Sequence, residues 1–181
     1  MSFGKEYLKT VIPRFRYYKD LGDKTFEQLN DWDFHYQSNE ETNSIAIIIR
    51  HMAGNMLSRW THFLTEDGDK EWRQRDDEFA THSHSKQELL EQWEKGWTCM
   101  FDALGSLKKK DLKKTVHIRK EPLSVIDAIN RQLAHYPYHV GQILHIAKII
   151  KGKNWQNLSI PKGESAAYNS SAEIKDPAKK F

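Results

Sequence analysis

Apolar residues recur with the 3.6-residue period of an α-helix in four long segments of the chain. These segments cover about residues 3–19, 44–64, 86–107 and 123–151. After residue 19 the pattern indicates a turn and a short helical piece with Thr25 as its N-cap, whereas residues 115–118 suit a short strand or an extended link. Because no longer stretch alternates as a sheet would, the sequence predicts an all-α fold with four helices packed as a bundle.

Capping residues mark the ends of the predicted helices. The second helix is expected to begin at Asn43 or Ser44 and the third at Ser85, because these side chains can accept N–H groups of a first helical turn. Pro122 suits the first turn of the fourth helix, where its missing N–H costs nothing. Gly152 suits the C-terminus of that helix, which is therefore expected to end there.

A long polar connection separates the second and third helices. Residues 65–85 read TEDGDKEWRQRDDEFATHSHS and show no apolar period. A compact domain rarely contains about 20 such residues unless the loop has a function. We expect a single domain over residues 1–168 and a loosely ordered tail over residues 169–181, so that the bundle is followed by a short C-terminal extension.

Composition and charge restrict the class of protein. The chain has 181 residues and is 38% hydrophobic, which suits a single domain with one hydrophobic core. Its net charge of +3 is too small to indicate a surface that attracts nucleic acid or anionic membranes. The first residues lack the apolar region of a signal peptide. Cys99 is the single cysteine, is expected to pack in the core and cannot form an internal disulfide. We therefore expect a cytoplasmic protein that binds neither nucleic acid nor membranes.

Two histidines, His135 and His139, lie one turn apart in the fourth predicted helix, on either side of Pro137. Side chains at i and i+4 differ by about 40° around a helix and about 6 Å along it, so both imidazoles can reach one metal ion. Proline inside a helix removes an N–H, often bends the helix and costs about 3 kcal/mol. Because the chain has nine histidines, such a pair also arises by chance, and its spacing alone does not distinguish a metal site from packing.

A third histidine, His51, lies in the strongest apolar run of the second helix. It shares a face with Ile47, Ile48 and Asn55, which predicts that its ring points inward. A single inward histidine is usually a hydrogen-bonded core residue, whereas a metal site requires this third imidazole to meet the pair on the fourth helix. The periodicity leaves both interpretations open.

The chain resembles the DinB/YfiT-like superfamily of small four-helix-bundle proteins, which carries a metal-binding histidine on the second helix and an H-x-x-x-H pair on the fourth. The matching positions are His51 in IIIRHMAGNMLSRW and His135 and His139 in QLAHYPYHVGQI. The closer resemblance is to a branch of that superfamily known only as a domain of unknown function. Phrases of that branch recur at residues 43–60, 67–79 and 158–169. The resemblance thus spans nearly the whole chain.

The resemblance implies a divalent metal ion, Zn or Ni, held by the three histidines at a site with an open position. Characterised members of the superfamily include thiol S-transferases and a thiol-dependent isomerase. This implies an enzyme that transfers a low-molecular-weight thiol to an electrophilic small-molecule substrate. A metal-dependent hydrolase would use the same ligands, and a non-enzymatic metal- or ligand-binding bundle of the stress response is the other alternative.

Further residues are expected to support such a site. Asn55 and Gln142 each lie about one turn from a candidate ligand, so their side chains are candidates to accept the ring N–H groups. Arg59, Arg73 and Arg75 are candidates to bind a small anion, such as a carboxylate-bearing thiol, although the balanced charges of RQRDDE favour a solvated charged loop instead. The nucleophile is expected to be a bound water or thiol. The many apolar and aromatic residues further predict a homodimer.

Overall fold

A computed structural model of the protein describes residues 3–181. Most of these residues are helical, in agreement with the all-α prediction. The helices are α1 (Phe3–Phe26), α2 (Ile45–Trp60), α3 (Lys86–Ser106), α4 (Val125–Lys151) and the short α5 (Ser165–Ser170), and the strands are β1 (Thr115–Ile118) and β2 (Glu121–Ser124). Helix α1 packs along α4, and α2 packs along α3. Within residues 3–181 no helix combines the length and the apolar character that crossing a bilayer requires.

Helix α1 is longer than the sequence pattern predicts. It continues without a break to Phe26, so the prediction of Thr25 as an N-cap is wrong. The Thr25 hydroxyl instead donates to the carbonyl of Leu21 at 2.7 Å, inside the last turn. Gly22 is tolerated in this helix because Trp93 packs directly on it, and a Cβ there would lie 2.5 Å from the indole. A distant contact on α3 therefore offsets a local helix breaker.

The predicted starts of α2 and α3 are confirmed. Ser44 accepts the N–H of Ile47, and Ser85 forms a capping box with Glu88. Helix α2 ends at Trp60, four residues before the predicted end at residue 64. The backbone turns there, and His62 has a φ of +51° in the left-handed region.

A β-hairpin precedes α4. The expected short strand at residues 115–118 forms, but it pairs antiparallel with β2, which the apolar pattern does not predict. Pro122 lies within β2 rather than in the first turn of α4, so that prediction is wrong. Helix α4 begins after Ser124, whose side chain accepts the N–H of Asp127, and ends at Gly152 as predicted, with a φ of +52°.

The core contains aromatic side chains from all four long helices. The ring of Tyr136 lies with its centroid 6.1 Å from that of Phe15 and 5.8 Å from that of Trp97. Its hydroxyl donates to Asn55 Oδ1 and accepts from Trp60 Nε1, both at 3.0 Å. This buried tyrosine therefore ties α4 to α2 directly beside the histidines.

The C-terminal residues contact α1. Asp176 accepts two hydrogen bonds from Arg14, and Ala178 is buried. Helix α5 crosses the boundary expected at residue 168, so the described C-terminal segment contains a helix and a docked 3₁₀ turn, Pro177–Lys180.

Candidate metal centre

The structure brings His51, His135 and His139 together between α2 and α4. The Nε2 atom of His135 lies 3.4 Å from that of His51 and 3.0 Å from that of His139. One nitrogen from each ring lies within 4.8 Å of the other two. His51 and His139 are buried and His135 is partly buried. Three imidazoles from two helices thus present their Nε2 atoms to one point.

The outward-facing nitrogens of the three rings each have a partner. His51 Nδ1 lies 3.0 Å from Glu78 Oε2, His135 Nδ1 lies 3.2 Å from Gln132 Oε1, and His139 Nδ1 lies 2.8 Å from Gln142 Oε1. All three partners are oxygen acceptors, so each ring donates a hydrogen bond from Nδ1–H and keeps a lone pair on Nε2. Partners of this kind orient metal-binding histidines and set their tautomer.

This donor set fits one divalent ion. The lone pair of His135 faces those of His139 and His51 at 3.0 and 3.4 Å, and such lone pairs repel unless a cation lies between them. With metal–nitrogen bonds of about 2.1 Å, two ligand nitrogens lie about 3.0 Å apart at a right angle and about 3.4 Å apart at a tetrahedral angle. The His135–His139 separation matches the first value and the His51–His135 separation matches the second. His51, His135 and His139 are therefore suited to hold a metal ion on one side and leave further coordination positions open.

Burial keeps the paired histidines of α4 neutral. Burial, together with the positive charge that His139 and His51 would carry, lowers the pKa of His135 to about 3. Burial also lowers the pKa of His139 to about 4, although its hydrogen bond to Gln142 acts in the opposite direction. Neutral imidazole is the form that binds metal ions, so these two rings are in the binding form at neutral pH.

Glu78 is a residue of the site that the sequence pattern did not indicate. It lies in the 3₁₀ turn Asp77–Phe79 of the α2–α3 connection, 27 residues from His51. Arg73 donates to both of its oxygens, at 2.7 Å from Nε and 2.8 Å from Nη2. Burial raises the pKa of Glu78, but the hydrogen bonds from His51 and Arg73 outweigh it and hold the pKa below its usual value. Glu78 is therefore a buried carboxylate anion.

Of the two residues predicted to accept a ring N–H group of a ligand histidine, one does so and the other does not. Gln142 contacts His139, as its i+3 spacing suggests. Asn55 instead accepts the hydroxyl proton of Tyr136, and Glu78 takes the position on His51. Gln132 is a ring partner that the sequence analysis did not name, although its position three residues before His135 on the same helix predicts this contact. Only Glu78 had no local signal, because no periodicity relates a loop residue to a helix.

The three candidate arginines differ in their availability to a ligand. Arg59 is buried and donates to the carbonyl of Gly68, and Arg73 forms the ion pair with Glu78. Arg75 has a side chain that is 52% exposed, and its guanidinium lies 5.2 Å from the ring of Phe79. The Phe79 ring in turn lies 4.9 Å from His51. Arg75 is thus the one of the three that is placed to meet a ligand from solvent.

A cavity of about 580 Å³ lies between α4 and residues 36–48, and its lining includes Gln142 but not the three histidines. Tyr138 and Gln142 line it together with Ile48 and Ile146, and the amide of Gln142 also donates to the hydroxyl of Tyr138. Gln142 therefore contacts His139 and faces this cavity. The cavity is large enough for a small molecule and has a mixed apolar and polar lining.

Comparison with known proteins identifies one family. The family described as "Protein of unknown function (DUF1572)" matches residues 2–164. No curated protein and no solved structure matches the chain.

Proposed function

This chain belongs to the DUF1572 family, and we propose that it is an enzyme whose divalent metal ion is held by His51, His135 and His139. The single observation that carries the proposal is the convergence of three Nε2 atoms, each on a ring whose Nδ1 contacts an oxygen acceptor. Structural zinc sites usually have four protein ligands, often thiolates, whereas catalytic sites commonly have three. A three-histidine set therefore supports catalysis over a purely structural role.

The arrangement of the ligands also supports the finer fold assignment. One ligand lies on the second long helix and two lie four residues apart on the fourth, as in the DinB/YfiT-like four-helix bundles that the sequence resembles. We extend the proposal to membership of that superfamily and to its four-helix architecture. The small hairpin and the long α2–α3 connection are then additions to that architecture.

The chemistry that we propose is the transfer of a small thiol to an electrophilic carbon: the sulfur–carbon bond forms, the thiol proton passes to solvent, and the group previously bound to that carbon leaves with its bonding electrons, as a halide does. When bound, a Zn or Ni ion would supply the positive charge that lowers the pKa of a thiol or water nucleophile. The chain's own residues hold and orient the ion, keep the rings of His135 and His139 neutral, and cover His51 with the ring of Phe79. Arg75 offers an exposed cation for a carboxylate on the thiol, and the cavity beside Gln142 offers space for the electrophile.

The metal site is tested by analysis of untagged protein. We expect about one equivalent of divalent metal in the wild type, and a loss of about 100-fold or more in Zn affinity in the His51→Ala and His135→Ala variants. His62→Ala is the matched control, because its side chain is 66% exposed and lies outside the cluster. Equal metal content in wild type and His135→Ala would refute the site.

The reaction is tested with a low-molecular-weight thiol and a halogenated aromatic electrophile. We expect metal-dependent loss of the thiol in the wild type, no activity above background after metal stripping, and recovery when Zn or Ni is restored. A parallel assay with an activated ester distinguishes the hydrolase. Ester cleavage without thiol transfer would contradict the transferase, and an active metal-free protein would contradict both.

A further inference from the structure

One of the three ring partners differs from the other two. His135 and His139 donate to neutral glutamine amides of their own helix, whereas His51 donates to the carboxylate of Glu78, which comes from the α2–α3 connection. This carboxylate is 9% exposed and is held by a nearly buried arginine, Arg73, with a side chain that is 4% exposed. The three-histidine site alone does not require a buried ion pair at this point.

We propose that Glu78 is a positioning residue, which sets the orientation and the donor strength of His51 through a charged hydrogen bond; this inference rests on the proposed function. A histidine that donates to an anionic carboxylate is a stronger electron donor at its other nitrogen than one that donates to an amide. Glu78 thereby makes His51 the strongest ligand of the three. It also places one negative charge next to the ion's ligand set.

Arg73 fixes the carboxylate in the geometry that His51 needs. It donates from Nε to Oε1 and from Nη2 to Oε2, which is a two-point contact, and His51 binds the same Oε2. A carboxylate held at both oxygens cannot rotate away from the imidazole. Burial of the pair also prevents water from replacing either partner.

The surrounding backbone shows that this arrangement is built into α2. Gly54 lies one helical turn after Arg50 and three residues after His51. A Cβ on Gly54 would lie 2.2 Å from Glu78 Oε1. Arg50 donates to the carbonyls of Ala80 and Asp77 and so holds both ends of the 3₁₀ turn. The face of α2 formed by Arg50, His51 and Gly54 is therefore shaped to receive this turn. Metal affinity and docking of the connection are expected to depend on each other.

The test uses Co²⁺ as the probe, because its visible spectrum reports coordination geometry and its affinity can be measured by chelator competition. We expect Glu78→Gln to lower Co²⁺ affinity about 10–100-fold and to alter the visible spectrum. Asp77→Asn is the matched control, because the Asp77 side chain lies in the same turn but contacts no ligand, and because Arg50 keeps its hydrogen bonds to the carbonyls of Asp77 and Ala80. Its affinity is expected to remain within about twofold of the wild type, with an unchanged spectrum.

A double variant separates positioning from folding. Glu78→Gln alone leaves Arg73 without a charged partner in a buried position and so destabilises the protein. Arg73→Gln/Glu78→Gln removes both charges, so we expect its thermal stability to recover toward the wild type while its Co²⁺ affinity stays low. If affinity recovered together with stability, Glu78 would be a structural residue only and the inference would be refuted.

The outcomes also distinguish this inference from the proposed function. Wild-type binding that His51→Ala abolishes and Glu78→Gln leaves unchanged would refute the role of Glu78 and retain the metal site. Failure of the wild type to bind Co²⁺, Zn²⁺ or Ni²⁺ would refute both. Loss of affinity in Glu78→Gln and in the double variant, but not in Asp77→Asn, would support the inference.

Discussion

Gly54 shows how a single residue serves the site at a cost to its own helix. Glycine inside a helix is less favourable than alanine by about 1 kcal/mol. The position nevertheless needs glycine, because a methyl group would lie 2.9 Å from Glu78 Cδ and still closer to Oε1. The carboxylate cannot shift away from this methyl group without losing its contacts with Arg73 and His51. Space for Glu78 therefore outweighs helix propensity here.

Gly54→Ala is expected to lower Co²⁺ affinity about 10-fold or more, because Glu78 must leave His51. The free energy of unfolding should fall by about 1–3 kcal/mol, because the overlap with Glu78 and its lost contacts outweigh the gain in helix propensity. Equilibrium unfolding in urea and chelator competition measure the two effects. Gly105→Ala is the control, because a Cβ there meets nothing within 4 Å in α3. Unchanged affinity in Gly54→Ala would contradict this account of the glycine.

Helix α4 is an element with an interior proline between two ligands. It runs from Val125 to Lys151 and includes Pro137, two residues from both His135 and His139. Proline removes the N–H that would bond four residues back, and helices commonly bend where this happens. Helix α1 also contains an interior proline, Pro13, far from any ligand in the sequence. The same proline-to-alanine substitution can therefore be made next to the site, in α4, and away from it, in α1.

Pro137→Ala is expected to raise the free energy of unfolding by about 1–3 kcal/mol, because the missing helical hydrogen bond forms. It should also lower Zn affinity, since the added hydrogen bond changes the placement of His135 relative to His139. Pro13→Ala should give a comparable gain in stability without any change in Zn affinity. Thermal unfolding of the metal-free proteins and Zn titration measure both quantities. Equal Zn affinity in the two variants would show that Pro137 does not serve the site.

At the scale of the whole molecule, the α2–α3 connection contacts the hairpin that precedes α4, and so links the two helices that carry the candidate ligands. Asp67, in this connection, accepts the backbone N–H groups of Arg119 and Lys120 in the turn of the hairpin before α4. Both turn residues have a positive φ, of 55° and 65°, which is unfavourable for residues other than glycine. The N–H of Gly68 also donates to the carbonyl of His117 at 2.8 Å. The carboxylate thus stabilises a strained turn and holds the connection to it.

Asp67→Asn is expected to lower the free energy of unfolding by about 1–2 kcal/mol at pH 7, because a neutral amide accepts these N–H groups less strongly. Burial raises the pKa of Asp67, but the backbone hydrogen bonds outweigh it and hold the pKa below 3.8. The stabilisation is therefore complete above about pH 5 and is lost as the pH falls through 3.8 toward the folded-state pKa. Urea unfolding of both proteins across this pH range measures the difference.

Asp76→Asn serves as the control for this prediction, because the Asp76 side chain is fully exposed and its 3.9 Å ion pair with exposed Arg75 contributes little to stability. A difference between wild type and Asp67→Asn that stayed constant down to pH 3 would contradict the charge-based explanation.

The predicted homodimer is also a property of the whole molecule. Trp32, which is 86% exposed, is a large apolar surface residue that a dimer interface would cover, and sedimentation analysis tests the dimer.

Features with local causes could be predicted from the sequence. The starts of α2 and α3 follow from Ser44 and Ser85, and the end of α4 follows from Gly152, because a cap acts within its own turn. Features with distant causes were predicted wrongly. The end of α1 depends on Trp93 packing against Gly22, and the strand at Pro122 depends on pairing with β1. Neither partner is visible in a local pattern.

The same distinction applies to the site. The sequence determined that His135 and His139 share one face of a helix and that Gln142 reaches His139, because these relations follow from helix geometry alone. Only the tertiary structure decided that Glu78 contacts His51, 27 residues away, and that Asn55 contacts Tyr136, 81 residues away. These contacts arise where the connection and α4 pack on α2. Such packing depends on the shape of the whole core, which no periodicity in one segment specifies.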